Sequence, residues 1–147
     1  MNQLTKTAVA GVAFFLFIQL VPFGRNHKNP PVTGEPSWST TELRALAKKA
    51  CFDCHSNETV WPAYSNIAPM SWLIYYDVAA ARKKLNFSDW QKGGRAGEDP
   101  AAVAYQLTSN NMPPFRYIIA HPDAKLSSQE RKKLAEGLLA TFSQPIK

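Results

Sequence analysis

Apolar residues in this chain recur at helical spacing rather than alternating along strands. The clearest case begins at the capping-box pattern of residues 39–42 and runs into Cys51. Its apolar positions fall at i, i+3, i+4 and i+7: Leu43, Leu46, Ala47 and Ala50. This spacing predicts an amphipathic helix with one buried face.

Three further helices are predicted along the chain. One follows Pro69, with Ser71 as its cap, and another starts with Asp99 as N-cap and Pro100 at the first helical position. The last begins at a second capping box, residues 127–130, and carries an apolar stripe: Leu134, Leu138, Leu139 and Phe142. No Asn-Gly or Asp-Gly hairpin signal occurs, so the pattern predicts an all-α fold.

The N-terminal segment is apolar and uncharged over residues 7–23. A run of 17 residues is short for a membrane span and long for the apolar h-region of a signal peptide, and no small-residue cleavage site follows it. We therefore expect residues 1–23 to form an uncleaved membrane anchor, with a removable signal segment as the alternative. Residues 24–37 are rich in Pro and Gly and predict a linker to a domain at 38–147.

Composition and charge narrow the possible functions. The 147 residues fit one domain, and a net charge of +6 favours acidic partners or anionic lipid. The basic residues are scattered, which indicates solvated helix faces, so we expect no nucleic-acid partner. Four Trp, five Tyr and eight Phe in so small a chain suggest that a large flat group helps to fill the core.

The candidate chemistry lies in Cys51-Phe52-Asp53-Cys54-His55, which reads C-x-x-C-H, the attachment signature of c-type haem. Two thiols at this spacing can each form a thioether with one vinyl group of the porphyrin. The adjacent His55 can then act as the proximal ligand of the iron. The motif therefore predicts one covalent haem c, held by Cys51, Cys54 and His55.

Three other interpretations of the two cysteines stay open. A thioredoxin-like redox pair would need a βαβ context, and the pattern predicts no strands. A zinc site would need four ligands, whereas the chain offers only three histidines besides these thiols. A structural disulfide is possible but would leave His55 unexplained. The haem interpretation also implies maturation outside the cytoplasm, so we expect a periplasmic haem domain.

The sixth ligand of the iron has four candidates. Met112 in Asn-Asn-Met-Pro-Pro is preferred, because the prolines stiffen the loop that would hold its thioether. His121 lies in a loop and would give bis-histidine ligation, and Met70 opens an apolar helix and is expected to pack in the core. His27 falls in the linker and is expected to be exposed.

Residues 51–90 also carry four longer motifs, CHSNET, WPAYS, IAPMSW and LNFSDW. With them, and with NNMPPFRYIIAHPDAKLSSQER in the second half, the chain resembles the bacterial haem-binding domain family over about residues 38–143. The resemblance implies a cytochrome c-like helical domain with these haem-binding residues: Cys51, Cys54, His55 and Met112. Ala81 stands where Gly is expected in the family, a departure with little consequence for haem binding.

We therefore predict a membrane-anchored monohaem c-type cytochrome that transfers single electrons through a haem ligated by His55 and Met112. The alternative is a haem enzyme or sensor with an open or labile sixth position, which reduces peroxide or binds a gas. Its suggestive polar residues are His121, Asn110 and Asn111. A third hypothesis is a non-catalytic anchoring module of a respiratory complex. A carrier is favoured over a catalyst because the sequence has no evident acid–base cluster.

The partners and location follow from the same features. Basic residues near the haem edge are expected to steer acidic redox proteins towards it. The N-terminal helix is expected to insert into the inner membrane as a single span, with the haem domain in the periplasm.

Overall fold

The computed structural model describes residues 1–145 and is all helical. Its seven α-helices are α1 (Gln3–Ile18), α2 (Thr41–Ala50), α3 (Phe52–His55), α4 (Met70–Lys84), α5 (Pro100–Thr108), α6 (Phe115–Ala120) and α7 (Ser128–Phe142). Three short 3-10 helices lie between them: Ala63–Asn66, Trp90–Lys92 and Pro122–Ala124. Within residues 1–145 no strand forms, and a single isolated bridge pairs Gly34 with Asp89. The predicted all-α fold is thereby confirmed.

The helix starts agree with the capping signals at α5 and α7. Asp99 caps α5 by accepting the Ala101 N–H, and Ser127 and Glu130 form the reciprocal capping box of α7. Helix α2 differs by one position, because Thr40 rather than Ser39 accepts the Leu43 N–H at 3.0 Å.

The predicted cap of α4 is wrong. This helix starts at Met70, directly after Pro69, and no side chain caps its first turn. Ser71 is instead fully buried inside the helix. Pro69 occupies the N-cap position, and its side chain carries no acceptor for the N–H groups of the first turn.

The core lies where α2, α5 and α7 pack together. The predicted face of α2 is confirmed, because Leu43, Leu46, Ala47 and Ala50 are all buried. Leu134 and Leu138 of α7 are buried as well, while Leu139 is exposed and Phe142 packs at the edge of the core. Three stacked rings extend this core towards the second half of α4: Phe52, Phe87 and Trp90.

Two short helices were not predicted from the sequence. Helix α3 spans one turn inside the C-x-x-C-H motif, and α6 has six residues that follow Pro114 without a side-chain cap. Neither is long enough to show a hydrophobic period. Both are held by tertiary contacts, which a local pattern does not contain.

The predicted membrane anchor is contradicted. Helix α1 has 16 residues, or roughly 24 Å at 1.5 Å per residue, whereas a bilayer core is about 30 Å thick. No helix within residues 1–145 has the length and apolar character needed to cross a membrane. The expected single-pass location in the inner membrane is therefore wrong.

The end of α1 explains why the apolar run does not continue as a helix. The Gln19 side chain donates to the Ala68 carbonyl and accepts from the Ala68 N–H, both at 2.9 Å. This paired amide contact turns the chain onto the start of α4. Gly24 then lies against the Ser71 carbonyl with φ of +77°, a position at which any Cβ would collide.

Residues 24–37 run along the surface of the domain without helix. The Asn29 amide donates to the Thr59 carbonyl at 2.9 Å, and the Thr33 N–H donates to the Ser88 carbonyl at 2.8 Å. The Gly34 carbonyl accepts from the Trp90 N–H at 3.0 Å. One side-chain and two backbone hydrogen bonds therefore hold this extended segment against the loops that follow α3 and α4.

Candidate haem-binding site

A tight turn between α2 and α3 brings the three motif residues together. The Cys51 carbonyl accepts two hydrogen bonds, from the Cys54 N–H at 3.1 Å and the His55 N–H at 2.8 Å. Residues three and four positions apart share a helical face. Cys51, Cys54 and His55 consequently border one cavity, while the intervening Phe52 points into the core.

The cavity has a volume of about 400 Å³, within the range of roughly 300–1,000 Å³ that is usual for small-molecule sites. A second cavity of about 170 Å³ adjoins it, and both are bordered by five residues: Ala50, Cys51, His55, Lys84 and Met112. Leu85, Phe87, Leu107 and Leu138 line the smaller one, and Leu73, Ile74 and Val78 line the larger. Together they form an apolar cleft between α3, α4, α5 and α6.

His55 is held in a defined orientation at the wall of this cleft. Its Nδ1 lies 3.0 Å from the Leu85 carbonyl oxygen, and its own carbonyl accepts the Phe87 N–H at 2.8 Å. Burial lowers the pKa of the imidazole, while the hydrogen bond to the Leu85 carbonyl opposes the shift. A neutral ring that donates through Nδ1 keeps the lone pair of Nε2 for a metal ion.

The chemistry of the two thiols argues against the other interpretations of the motif. Burial raises the pKa of Cys51 to about 12 and that of Cys54 to about 11, whereas redox-active pairs have lowered values. The thiols are not joined to each other. Among residues 1–145 no three His, Cys, Asp or Glu side chains are grouped so that they could hold a metal ion, whereas a structural zinc site uses four ligands.

Met112 borders both cavities from the loop between α5 and α6. Its N–H donates to the Gln106 carbonyl at 3.0 Å, and its carbonyl accepts from Arg131 at 2.8 Å. The side chain is 36% exposed, so its position is set by the backbone more than by packing. The structure thus brings Met112 to the same cleft as His55.

The other candidate ligands have different surroundings. Met70 borders the larger cavity but is 41% exposed, so the expected core packing is wrong. His121 also borders it, with Nε2 2.7 Å from the Tyr64 hydroxyl and its ring stacked on Tyr117. His27 is half-buried rather than exposed, stacks on Trp61 and does not line either cavity.

Polar residues on the wall of the larger cavity were not predicted from the sequence. Tyr117 of α6 donates to the Asp53 carboxylate at 2.6 Å, and Arg116 pairs with Asp77 of α4 at 2.8 Å. Asp53 lies between the two cysteines, and the tyrosine is 64 residues further along the chain. Only the tertiary fold brings these groups together, so no local signal could have found them.

Arg82 of α4 does not line either cavity. Its guanidinium instead donates to three groups around the loop after α3. These acceptors are the Ser56 carbonyl, the Thr59 hydroxyl and the Asn29 side chain, at 2.7–2.9 Å. Arg82 therefore ties α4 to the segment that follows the motif.

The donor set and the shape of the cleft fit a haem. Two thiols and an imidazole with a free Nε2 border an apolar space that continues on both sides of His55 and Met112. A planar macrocycle between these residues would meet aliphatic side chains on each side, as its apolar surface requires. The fold and the site define a small all-helical haem-binding protein.

Comparison with known proteins supports this class of protein. The chain belongs to the haem-binding domain family, which matches residues 13–140. It is also similar to the cytochrome c peroxidase Ccp of Escherichia coli (strain K12), with 24% identity over 143 residues. That match covers 90% of this chain and 31% of the relative, so the chain spans about a third of that protein's length. No solved structure matches the chain.

Proposed function

We propose that this haem-binding domain is a c-type cytochrome that transfers single electrons. One haem would be attached through Cys51 and Cys54, with His55 and Met112 as the ligands of its iron. The observation that carries the proposal is the cleft itself, which is bordered by both thiols, the oriented imidazole and Met112, whose backbone is hydrogen-bonded to two helices.

Each residue has a defined task in this function. When bound, the haem supplies an iron that gains and loses one electron. Cys51 and Cys54 would hold the edge of the group, and the Leu85 carbonyl orients the His55 ring so that Nε2 would be left to bind the iron. Ligation by both His55 and Met112 would keep coordination the same in the two oxidation states, which limits the reorganisation that electron transfer requires.

Covalent attachment is tested by expressing the chain with a c-type maturation system and staining a denaturing gel for haem. The wild type is expected to retain one haem per chain through denaturation. Cys51→Ala and Cys54→Ala should each leave at most one thioether, and the double variant should lose all covalent haem. Loss of stain in the wild type would contradict covalent attachment but would not contradict non-covalent haem binding.

Axial ligation is tested by absorption spectra of the ferric and ferrous holoprotein. A low-spin spectrum with the ferric sulfur-to-iron charge-transfer band is expected in the wild type, and Met112→Ala should remove that band. Met70→Ala is the matched control, because its thioether borders the same cavity. A band that survives Met112→Ala but disappears in Met70→Ala would move the ligand to Met70.

The proposed partner is an acidic redox protein. The net charge of +6 supports this, although the cations at the cavity are themselves paired, Lys84 with Glu98 and Arg116 with Asp77. Steering would then come from the whole molecule rather than from the rim of the cleft. Electron exchange with an anionic iron complex should slow as salt rises, while exchange with a cationic cobalt complex should accelerate. Equal salt responses would contradict the proposal.

A second candidate function is reduction of peroxide or binding of a small ligand at an open sixth position. Two observations favour it: the exposed side chain of Met112 and the hydrogen-bonded pair of Tyr64 and His121 on the cavity wall. The Escherichia coli relative is a cytochrome c peroxidase. His121 could exchange a proton with a bound ligand, as a general acid–base group does.

The ferric spectrum separates the two functions. A high-spin spectrum in the wild type, with peroxide consumption that falls in His121→Gln, would support the second function and contradict six-coordinate ligation. A low-spin spectrum that does not respond to peroxide would support the electron carrier alone.

A further inference from the structure

We propose that the buried Arg131 of α7 is the positioning residue that holds Met112 in place for axial ligation, an inference that rests on the proposed ligation by Met112. The relevant contact is the hydrogen bond of 2.8 Å from the Arg131 guanidinium to the Met112 carbonyl. Arg131 does not touch the cavity and would act through the backbone of the loop.

The burial of Arg131 is unusual for its place in the helix. The side chain is 9% exposed, although the next two residues, Lys132 and Lys133, lie in solvent. Within residues 1–145 no carboxylate lies at ion-pair distance from this guanidinium, which distinguishes it from an ordinary buried salt bridge. Burying a charge costs free energy unless its N–H groups form hydrogen bonds. The Met112 carbonyl accepts one such bond from the Arg131 guanidinium.

The loop is held from two sides. The N–H groups of Asn111 and Met112 both donate to the Gln106 carbonyl at the end of α5, each at 3.0 Å. The Met112 carbonyl accepts from α7. Because α5 and α7 pack directly on each other, these bonds fix both polar backbone groups of Met112 relative to the core.

Such anchoring matters because the side chain of Met112 is not fixed by its own packing. At 36% exposure it has space to leave the cleft, and a thioether is a neutral and readily displaced ligand. A ligand that is already oriented binds more strongly, because less conformational entropy is lost when the bond to iron forms. Arg131 would therefore determine how well Met112 competes with other ligands.

The experiment measures that competition in the haem-loaded full-length chain. Imidazole is titrated into the ferric protein, and its dissociation constant is read from the loss of the sulfur-to-iron charge-transfer band. Arg131→Met keeps an apolar stem but removes the donor, and should lower the imidazole dissociation constant roughly tenfold. The reduction potential of the Arg131→Met variant should fall as well, because ligation by methionine favours the reduced iron and this ligation would be weaker.

Two further variants separate positioning from general stability. Arg131→Lys retains the charge, so its imidazole dissociation constant should lie between those of Arg131→Met and the wild type. Leu134→Ala, one turn later in α7, removes a fully buried side chain outside both cavities. It should lower the melting temperature and leave the imidazole dissociation constant unchanged. If Arg131→Met does not fold, Arg131→Lys and Arg131→Gln supply the same comparison.

The outcomes also separate this inference from the proposed function. If Met112→Ala removes the charge-transfer band but the Arg131 variants bind imidazole as the wild type does, Arg131 has no positioning role. An equal shift in Leu134→Ala and Arg131→Met would also overturn the inference. If Met112→Ala leaves the band intact, the ligation by Met112 itself is wrong.

Discussion

The Tyr117 hydroxyl donates a hydrogen bond of 2.6 Å to the carboxylate of Asp53, which precedes Cys54 in the C-x-x-C-H motif. This bond connects α6 to α3 at the wall of the larger cavity. The other carboxylate oxygen of Asp53 accepts the Val60 N–H at 3.0 Å, so one side chain fixes both α6 and the loop after the motif. Burial and the neighbouring carboxylate raise the pKa of Tyr117, which keeps the phenol protonated as a donor.

We predict that Tyr117→Phe lowers the free energy of unfolding by about 1.5–3 kcal/mol, the usual value for a hydrogen bond to a charged group. Urea denaturation of the purified protein measures this change. The matched control is Tyr105→Phe, because Tyr105 is 64% exposed and its hydroxyl has no partner within residues 1–145. A loss no larger than that of the control would mean that the contact with Asp53 contributes no stability.

A second prediction concerns Arg82 of α4. Its guanidinium connects three groups of different segments: the Ser56 carbonyl, the Thr59 hydroxyl and the Asn29 side chain. Arg82→Met should destabilise the protein by about 2–4 kcal/mol, because several acceptors lose a charged donor at once. Thermal unfolding tests it against Lys83→Met, the exposed neighbour on the same helix. An unchanged melting temperature in Arg82→Met would show that solvent replaces all three bonds.

Much of the helical framework could be predicted from the sequence, because it follows from local chemistry. The capping box at Ser127 and the Asp99-Pro100 pair each fix a helix start within one residue. The buried face of α2 follows from its spacing. The end of α1 could not be predicted in this way, because it depends on the pairing of Gln19 with Ala68, 49 residues away.

The candidate site likewise has a part that the sequence predicts and a part that depends on the tertiary fold. The spacing of the two thiols and His55 is local, so the motif alone indicates their chemistry. The Leu85 carbonyl behind His55, the phenol of Tyr117 and the guanidinium of Arg131 belong to distant segments. Their residue types carry no spacing signal, and only the packing of α4, α6 and α7 around the cleft reveals them.

The pH dependence of stability is predicted to include Glu130 of the α7 capping box. The Ser127 N–H donates to its carboxylate at 2.7 Å and Lys49 donates at 3.0 Å, and these bonds lower the pKa of Glu130 to about 2. A lowered pKa means that the folded state binds this proton less readily than the unfolded state. The stabilisation is therefore complete above the unfolded value of about 4.3 and disappears as the pH falls towards 2.

Comparison of wild type with Glu130→Gln isolates this contribution. The melting temperature of the wild type should exceed that of the variant at pH 6, and the difference should shrink steadily between pH 4.5 and pH 2. Glu136→Gln is the control, since Glu136 is exposed and its distance to Lys132 is 3.9 Å. A difference that does not change with pH would mean that ionisation of Glu130 does not support the helix.

The last prediction concerns Gly137, where α7 crosses α2. A Cβ at this position would lie 2.6 Å from Cδ2 and 3.1 Å from Cγ of Leu43, which is only 2% exposed. Alanine normally stabilises a helix over glycine by about 0.5–1 kcal/mol, whereas overpacking a core costs about 1–3 kcal/mol. The cost of overpacking should exceed the gain in helix propensity, so Gly137→Ala is expected to destabilise the protein in urea denaturation.

A double-mutant cycle tests whether Leu43 is the cause. In a Leu43→Ala background the space is empty, and Gly137→Ala should become neutral or stabilising because only its helix propensity remains. The double variant should therefore be more stable than the sum of the two single effects predicts, by at least about 1 kcal/mol. Additive effects would instead mean that the effect of Gly137→Ala does not depend on Leu43, and that the contact between α7 and α2 at this side chain is not its cause.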